Sequence, residues 1–72
     1  MTFYKWLSNI ATSDTPEGDF ARDVLEDTKF PKEVSTWSEV NQYLRHTIAD
    51  ETVIAAAKSA FTLYEKEKQH HI

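Results

Sequence analysis

The chain contains one glycine, Gly18, and two prolines, Pro16 and Pro31, among its 72 residues. All-β folds need many tight turns, and such turns need glycine or the pairs Asn-Gly and Asp-Gly, neither of which occurs in this sequence. Long stretches without a chain-breaking residue are typical of helices. The sequence therefore predicts an all-α fold without a strand.

Apolar residues recur at three- and four-residue intervals in four segments of the chain. This pattern predicts helices over roughly residues 3–10, 17–28, 37–47 and 51–67. Residues able to cap these helices precede them: Thr2, Thr15 with Pro16 after it, Thr36 with Glu39 three residues later, and Asp50. Gly18 falls in the first turn of the second helix, where it weakens that prediction. Phe30-Pro31 ends the segment, because the residue before a proline avoids helical backbone angles.

The large apolar side chains of these stripes are predicted to form the core. The residues expected to be substantially buried are Trp6, Phe20, Phe30, Trp37, Leu44 and Phe61. In the third helix the stripe is Trp37, Val40, Leu44 and Ile48, and the inward face of the last helix is Val53, Ala57, Ala60, Phe61 and Tyr64. A chain this short buries only about 60% of its unfolded surface, so a stability of a few kcal/mol is expected.

Composition also bears on domain organisation and compartment. The length predicts one domain over residues 1–72. The chain has no cysteine, so neither disulfides nor thiolate zinc sites supplement its core. No run of about 18 apolar residues is present, and residues 1–6 do not have the basic and apolar regions of a signal peptide. These features predict a cytoplasmic protein without a membrane span.

Several short motifs follow one another along residues 3–65: Phe3-Tyr4-Lys5-Trp6-Leu7, Gly18-Asp19-Phe20-Ala21, Asp27, Phe30-Pro31-Lys32, Glu39, Tyr43-Leu44 and Ala60-Phe61-Thr62-Leu63-Tyr64. Their order and spacing resemble those of the YozE SAM-like family of short bacterial proteins. Phe61 stands where that family usually has Trp, and Arg45 where it often has Glu. The resemblance implies a compact bundle of about four short helices, similar in arrangement to sterile-alpha-motif (SAM) domains. It also implies an origin mainly in Gram-positive bacteria, and it implies no activity.

Six of the twelve acidic residues fall between positions 14 and 27, where Arg22 is the only basic residue. Asp19, Asp23 and Asp27 are four residues apart, which places them on one face of a helix. Such a face can meet a basic partner protein, mimic a nucleic-acid backbone, bind a divalent cation through its oxygens, or remain solvated near the positive end of the helix dipole. No calcium-loop spacing supports the cation. The candidate partner-binding residues are Asp19, Asp23, Glu26 and Asp27.

The basic residues suggest a second possibility. Lys29 and Lys32 flank Phe30-Pro31, and Arg45 is expected to lie near them across the bundle, so these three are the candidate nucleic-acid contacts. A nucleic-acid site needs several basic residues on one face with few acids among them. The formal net charge of −4 and the acids beside each basic cluster weaken this alternative.

Catalytic chemistry has little support in the sequence. His46, His70 and His71 lack the acid–histidine spacing of metalloenzymes, and no serine lies in a Gly-x-Ser-x-Gly elbow. A single glycine cannot build a phosphate-binding loop. An enzyme also needs a pocket of about 300 Å³ or more, which a bundle this small rarely spares. We therefore predict no enzyme, no cofactor and no metal site.

The function favoured by the sequence is a non-enzymatic interaction module that binds another protein, or a second copy of itself, through a polar surface. The alternative is a weak nucleic-acid-associated or regulatory protein. A cluster of Lys29, Lys32 and Arg45 clear of carboxylates would favour the alternative. A contiguous exposed patch containing Trp37 or Tyr4 would favour the interaction module.

Overall fold

The computed structural model describes residues 1–47 and 50–69, and within these ranges it contains four α-helices and no strand. The helices are α1 (Phe3–Trp6), α2 (Pro16–Glu26), α3 (Trp37–Thr47) and α4 (Glu51–Gln69). One turn of 3-10 helix, Leu7–Asn9, continues α1. The predicted all-α class and the four helical segments are confirmed. Ile48, His70 and His71 lie outside the described residues.

The predicted caps explain where the helices begin. Thr2 accepts a hydrogen bond from the Lys5 amide at the start of α1. Thr15 accepts one from the Gly18 amide, and Pro16 is the first residue of α2. These side chains satisfy backbone donors that have no partner within their own helix.

The third and fourth helices are capped by the residues predicted for them. The Thr36 hydroxyl accepts from the Glu39 amide at 3.3 Å, and the Glu39 carboxylate accepts from the Thr36 amide at 3.2 Å, which is a reciprocal capping box. The backbone amides of Ser35 and Thr36 hold the pKa of the Glu39 carboxyl below its ordinary value. At the start of α4, the Asp50 carboxylate accepts from the Thr52 amide at 2.9 Å.

Glycine is required at position 18 because the backbone of the preceding loop packs closely against this residue. A Cβ at this position would lie well inside van der Waals contact with the carbonyl oxygen of Ser13 and only 2.9 Å from that of Ile10. The segment before α2 therefore packs directly on the first turn of that helix. Glycine, unfavourable in a helix for its entropy, is here the residue that leaves room for the preceding loop.

The core is built largely from aromatic rings at the junction of α1 and α4. Phe3 is fully buried, and its ring centroid lies 4.8 Å from that of Phe61 and 5.4 Å from that of Tyr64. The Trp6 ring lies 5.7 Å from Tyr64. These tilted and edge-on arrangements are the ones that aromatic pairs favour. Five of the six residues predicted to be substantially buried are buried: Trp6, Phe20, Phe30, Leu44 and Phe61.

Trp37 differs from that prediction, since it is only half-buried at the first position of α3. One part of its ring packs on Phe61, with centroids 6.2 Å apart. The Lys58 ammonium lies 5.0 Å from the indole centroid. Trp37 therefore closes one margin of the core, and Lys58 covers part of its ring.

α4 is the longest helix, with 19 residues, and one stripe of it faces the core. Its buried residues are Ile54, Ala56, Ala57, Ala60, Phe61 and Tyr64. Val53, which was predicted to face inward, is half-buried, and Ile54 takes the inner position instead. None of the helices in the described parts of the chain combines the length and apolar character needed to cross a membrane.

Candidate functional site

The exposed carboxylates of α2 form the most strongly charged surface that the sequence predicted. Asp19, Asp23 and Glu26 are exposed on this helix, and we call these three residues the acidic face. Asp19 forms an ion pair with Arg22. The side-chain carboxylates of Asp23 and Glu26 make no hydrogen bond or ion pair with any other described residue. Two of the three carboxylates are therefore available to a partner.

Arg22 is held mainly by the loop before α2. Its guanidinium donates hydrogen bonds to the backbone carbonyl oxygens of Ala11 and Ser13 as well as to Asp19. A side chain anchored in this way ties the loop to the helix. Arg22 therefore neutralises Asp19 in part, on the side of the acidic face that points to the loop.

Asp27, the fourth candidate of the acidic helix, has a contact within the fold. α2 ends at Glu26 rather than at residue 28, because Asp27 adopts an extended backbone. Its carboxylate accepts hydrogen bonds from the Tyr43 hydroxyl at 2.6 Å and from the Lys29 amide at 2.9 Å. The Tyr43 hydrogen bond, followed by the Lys29 amide, lowers the pKa of Asp27, and the same bond raises the pKa of Tyr43. Asp27 thus fastens the end of α2 to α3.

A groove runs between the first turns of α2 and α4. It has a volume of about 190 Å³, and its lining residues are Pro16, Asp19, Phe20, Asp23, Thr52, Val53 and Ala56. We call it the α2–α4 groove. Two of the acidic-face residues, Asp19 and Asp23, lie on its rim. No local pattern of residues indicated this groove, because its two walls lie about thirty residues apart in the chain.

The three candidate nucleic-acid contacts are attached to different parts of the bundle. The Lys32 ammonium lies 5.5 Å from the centroid of the Tyr4 ring in α1. Arg45 donates hydrogen bonds to Asn41 and, at 3.2 Å, to Glu51 at the start of α4. Lys29 is exposed beside the Asp27 carboxylate. Carboxylates therefore adjoin two of the three, and the basic cluster clear of acids does not form.

A second concave site lies between α1 and the last turns of α4. It has a volume of about 300 Å³ and is lined by Met1, Trp6, Asn9, Tyr64, Glu67 and Lys68. Trp6 donates a hydrogen bond from Nε1 to Glu67 at 3.2 Å, and the Lys68 ammonium lies 5.7 Å from the centroid of the Tyr64 ring. A volume of this size is rare in a bundle this small and was not expected from the sequence. The charged side chains in its lining are one carboxylate and one ammonium group, each already in contact with an aromatic residue.

Of the three histidines, only His46 lies among the described residues, so the predictions about histidine and metal sites are examined there. His46 is exposed in the last turn of α3. Within residues 1–47 and 50–69, no group of three or more His, Asp or Glu side chains is arranged to hold a metal ion.

We therefore expect calcium or magnesium at about 1 mM to leave the melting temperature unchanged. A ligand present at about 100 times its Kd would stabilise the protein by about 2.7 kcal/mol, which is a shift of many degrees in a domain of this size. Thermal melting followed by circular dichroism, with NaCl of equal ionic strength as the control, measures this. A rise specific to the divalent cation would instead identify Asp19, Asp23 and Asp27 as a metal site.

Among known proteins, the chain is similar to a family that is defined by its fold. A family model described as YozE SAM-like fold matches residues 2–66. The chain belongs to the YozE SAM-like family. No curated protein and no solved structure matches it.

Several residues of the YozE SAM-like motif are structural in this chain. Phe3, Trp6 and Tyr64 pack against one another at the junction of α1 and α4. Gly18 leaves room for the loop before α2, and Asp27 fastens α2 to α3. Membership of the YozE SAM-like family therefore accounts for the fold, and the function has to be inferred from surface residues such as those of the acidic face.

Proposed function

We propose that this protein is a non-enzymatic protein–protein interaction module that binds a basic surface of its partner through the acidic face. The observation that carries the proposal is that α2 holds two exposed carboxylates without a contact in the described parts of the chain, whereas most basic side chains have one. Most basic side chains already have a group to contact within the chain: Arg22, Lys32, Arg45, Lys58 and Lys68. Asp23 and Glu26 are exposed and have no such contact among the described residues.

The electrostatic consequence supports a basic partner. With a formal net charge of −4, the protein attracts basic surfaces, and exposed carboxylates steer their approach within a Debye length of about 8–10 Å. A symmetric pair of copies meeting through the same face would oppose carboxylate to carboxylate. The acidic face therefore favours a different protein over a second copy. A cytoplasmic location stays a prediction from the sequence, and an origin in Gram-positive bacteria stays an expectation from the family resemblance.

A charge-reversal experiment tests the proposal. The probe is a fluorescent peptide of about ten lysines, and its Kd is measured by anisotropy in about 0.1 M salt, where the Debye length is about 10 Å. Asp23→Lys with Glu26→Lys should raise the Kd at least about tenfold, because it turns two attractive charges into repulsive ones. The matched control is Glu33→Lys with Glu65→Lys, which changes the net charge equally at exposed positions outside α2.

The control pair should change the Kd by no more than about threefold, since only distant charges are altered. Equal weakening by both pairs would mean that the probe senses net charge alone, and it would contradict a site on α2. Unchanged binding by the α2 pair would also contradict it.

The alternative function, nucleic-acid association, has weaker support. Its best observation is that Lys29 and Lys32 are both exposed in the short connection between α2 and α3. Arg45, the third member, is paired with Glu51. Two or three phosphate contacts supply little affinity at physiological salt, where non-specific binding already has a Kd of about 10⁻⁴–10⁻⁶ M.

We therefore expect no shift of mixed-sequence DNA or RNA at about 10 μM protein in about 150 mM salt. An electrophoretic mobility-shift assay measures this, and a repeat at low salt shows whether any binding is purely electrostatic. Tight binding at the higher salt, abolished by Lys29→Glu with Lys32→Glu, would replace the interaction module with a nucleic-acid-binding function.

A further inference from the structure

The α2–α4 groove combines an apolar floor with a charged rim. Its floor is formed by Phe20 and Ala56, which are 3% and 9% exposed, and by the half-buried Val53. Its rim carries the carboxylates of Asp19 and Asp23 on the α2 side. On the α4 side the rim is Thr52, whose hydroxyl donates to Asp50 at 2.7 Å. Apolar surface and negative charge therefore lie within one small volume.

The apolar floor and the acidic rim together determine which kind of chemical group can bind in the groove. An apolar side chain alone would cover the floor but would bring nothing to compensate the two carboxylates. An anionic or phosphate group would be repelled by them. Long basic side chains satisfy both parts, because their methylene stems pack on apolar surface while the charged head stays at the wet rim.

Between the two basic side chains, arginine fits the rim better than lysine. Asp19 and Asp23 are four residues apart, so their side chains are neighbours on the helix surface. A guanidinium carries five N–H donors in a planar fork and can bind one carboxylate through two parallel hydrogen bonds, whereas an ammonium is a compact point charge. Asp19 already accepts from Arg22, which is drawn toward the loop by Ala11 and Ser13. Asp23 is therefore the principal acceptor for an incoming arginine.

We propose that the α2–α4 groove receives an arginine side chain from the basic partner, with its stem on Phe20, Val53 and Ala56 and its guanidinium on Asp23. This inference rests on the proposed function. It adds one specific contact, an arginine bound in the groove, to a surface that otherwise attracts the partner only by its charge. The acidic face attracts the partner, and the groove orients it through one buried stem and one charge-assisted hydrogen-bonded pair.

The test uses N-acetyl-arginine amide as the probe, titrated into the ¹⁵N-labelled protein and followed by two-dimensional NMR. A ligand of this size should bind with a Kd on the order of millimolar. Shifts should concentrate on the amides around Phe20, Asp23 and Val53. N-acetyl-citrulline amide has nearly the same shape without the charge, and it should bind at least about tenfold more weakly. Equal binding of the two compounds would overturn the proposal.

Two matched pairs of variants locate the site. Asp23→Asn and Glu26→Gln each remove one negative charge from α2, but only Asp23 lines the groove. The first should raise the Kd about tenfold and the second less than about twofold. Thr52→Leu places a larger apolar side chain at the rim and should also block binding. Thr62→Leu makes the same change at an exposed position of α4 outside the groove and should not.

The outcomes separate this inference from the proposed function. Binding of the lysine peptide that depends on Asp23 and Glu26, together with no localised shifts from the arginine probe, would leave the acidic face in place and overturn the groove as an arginine site. Equal weakening by Asp23→Asn and Glu26→Gln would have the same meaning. Failure of the lysine peptide to distinguish the α2 pair from its control would overturn the proposed function itself.

Discussion

Replacement of Trp6 by alanine is expected to leave the protein largely unfolded at about 37 °C, because removal of a buried aromatic side chain costs about 3–5 kcal/mol. Trp6 is only 3% exposed, and its ring packs against Phe3 and Tyr64. Its Nε1 also donates to Glu67, so the truncation removes a link between α1 and the end of α4. A domain of this length is expected to have a stability of only a few kcal/mol, so the loss removes most or all of it.

Urea unfolding followed by circular dichroism measures this loss. Trp6→Phe keeps an aromatic ring at the site and should recover a large part of the stability. Leu63→Ala removes a side chain that is 43% exposed and should change the melting temperature by only a few degrees. A Trp6→Ala protein that melts within a few degrees of the parent would show that the aromatic junction does not hold α1 to α4.

Replacement of Gly18 by alanine is expected to destabilise the protein by about 1–3 kcal/mol, the usual cost of inserting an extra methyl group where there is no room for it. Helix propensity alone predicts the opposite sign, since alanine in a helix is favoured over glycine by about 1 kcal/mol. The steric term should dominate, because the new Cβ meets the backbone carbonyl oxygens of Ser13 and Ile10, which cannot rotate away as a side chain would.

The sign of the change in unfolding free energy, measured by urea denaturation, distinguishes the two effects. Asp23→Ala, at an exposed position on the same helix, should lie within about 0.5 kcal/mol of the parent. Arg22→Ala releases the side chain that ties the loop to α2. In that background Gly18→Ala should cost less, because the loop can move away. A stabilised Gly18→Ala protein would mean that the loop does not pack on α2 as described.

The acidic face could be predicted from the sequence, but the groove beside it could not. Carboxylates four residues apart on a helix share a face whatever the rest of the chain does, so Asp19 and Asp23 were identified without a structure. The opposite wall of the groove comes from Thr52, Val53 and Ala56. Their position opposite α2 depends on how two helices pack, and no local spacing contains that information.

The pairing of charges was also decided by packing. Arg45 was grouped with Lys29 and Lys32 as a candidate nucleic-acid contact, and packing gives it a partner, Glu51 at the start of the next helix. Asp27 was grouped with the acidic residues of α2, and the structure gives it a hydrogen bond from Tyr43, sixteen residues away. Which charges remain available to a partner therefore followed from tertiary contacts.

The sequence by itself determined the features that depend on near neighbours in the chain. The scarcity of glycine and proline, the capping residues and the apolar spacing predicted four helices, because each of these signals acts within one or two turns. Tertiary structure alone decided that Ile54 rather than Val53 takes the inner position, that Trp37 stays half-exposed, and that Gly18 serves a close contact. An apolar stripe is wide enough for adjacent residues to compete for the core. The rotation of the helix about its axis decides which of these residues faces the core. That rotation is fixed only when the whole core packs.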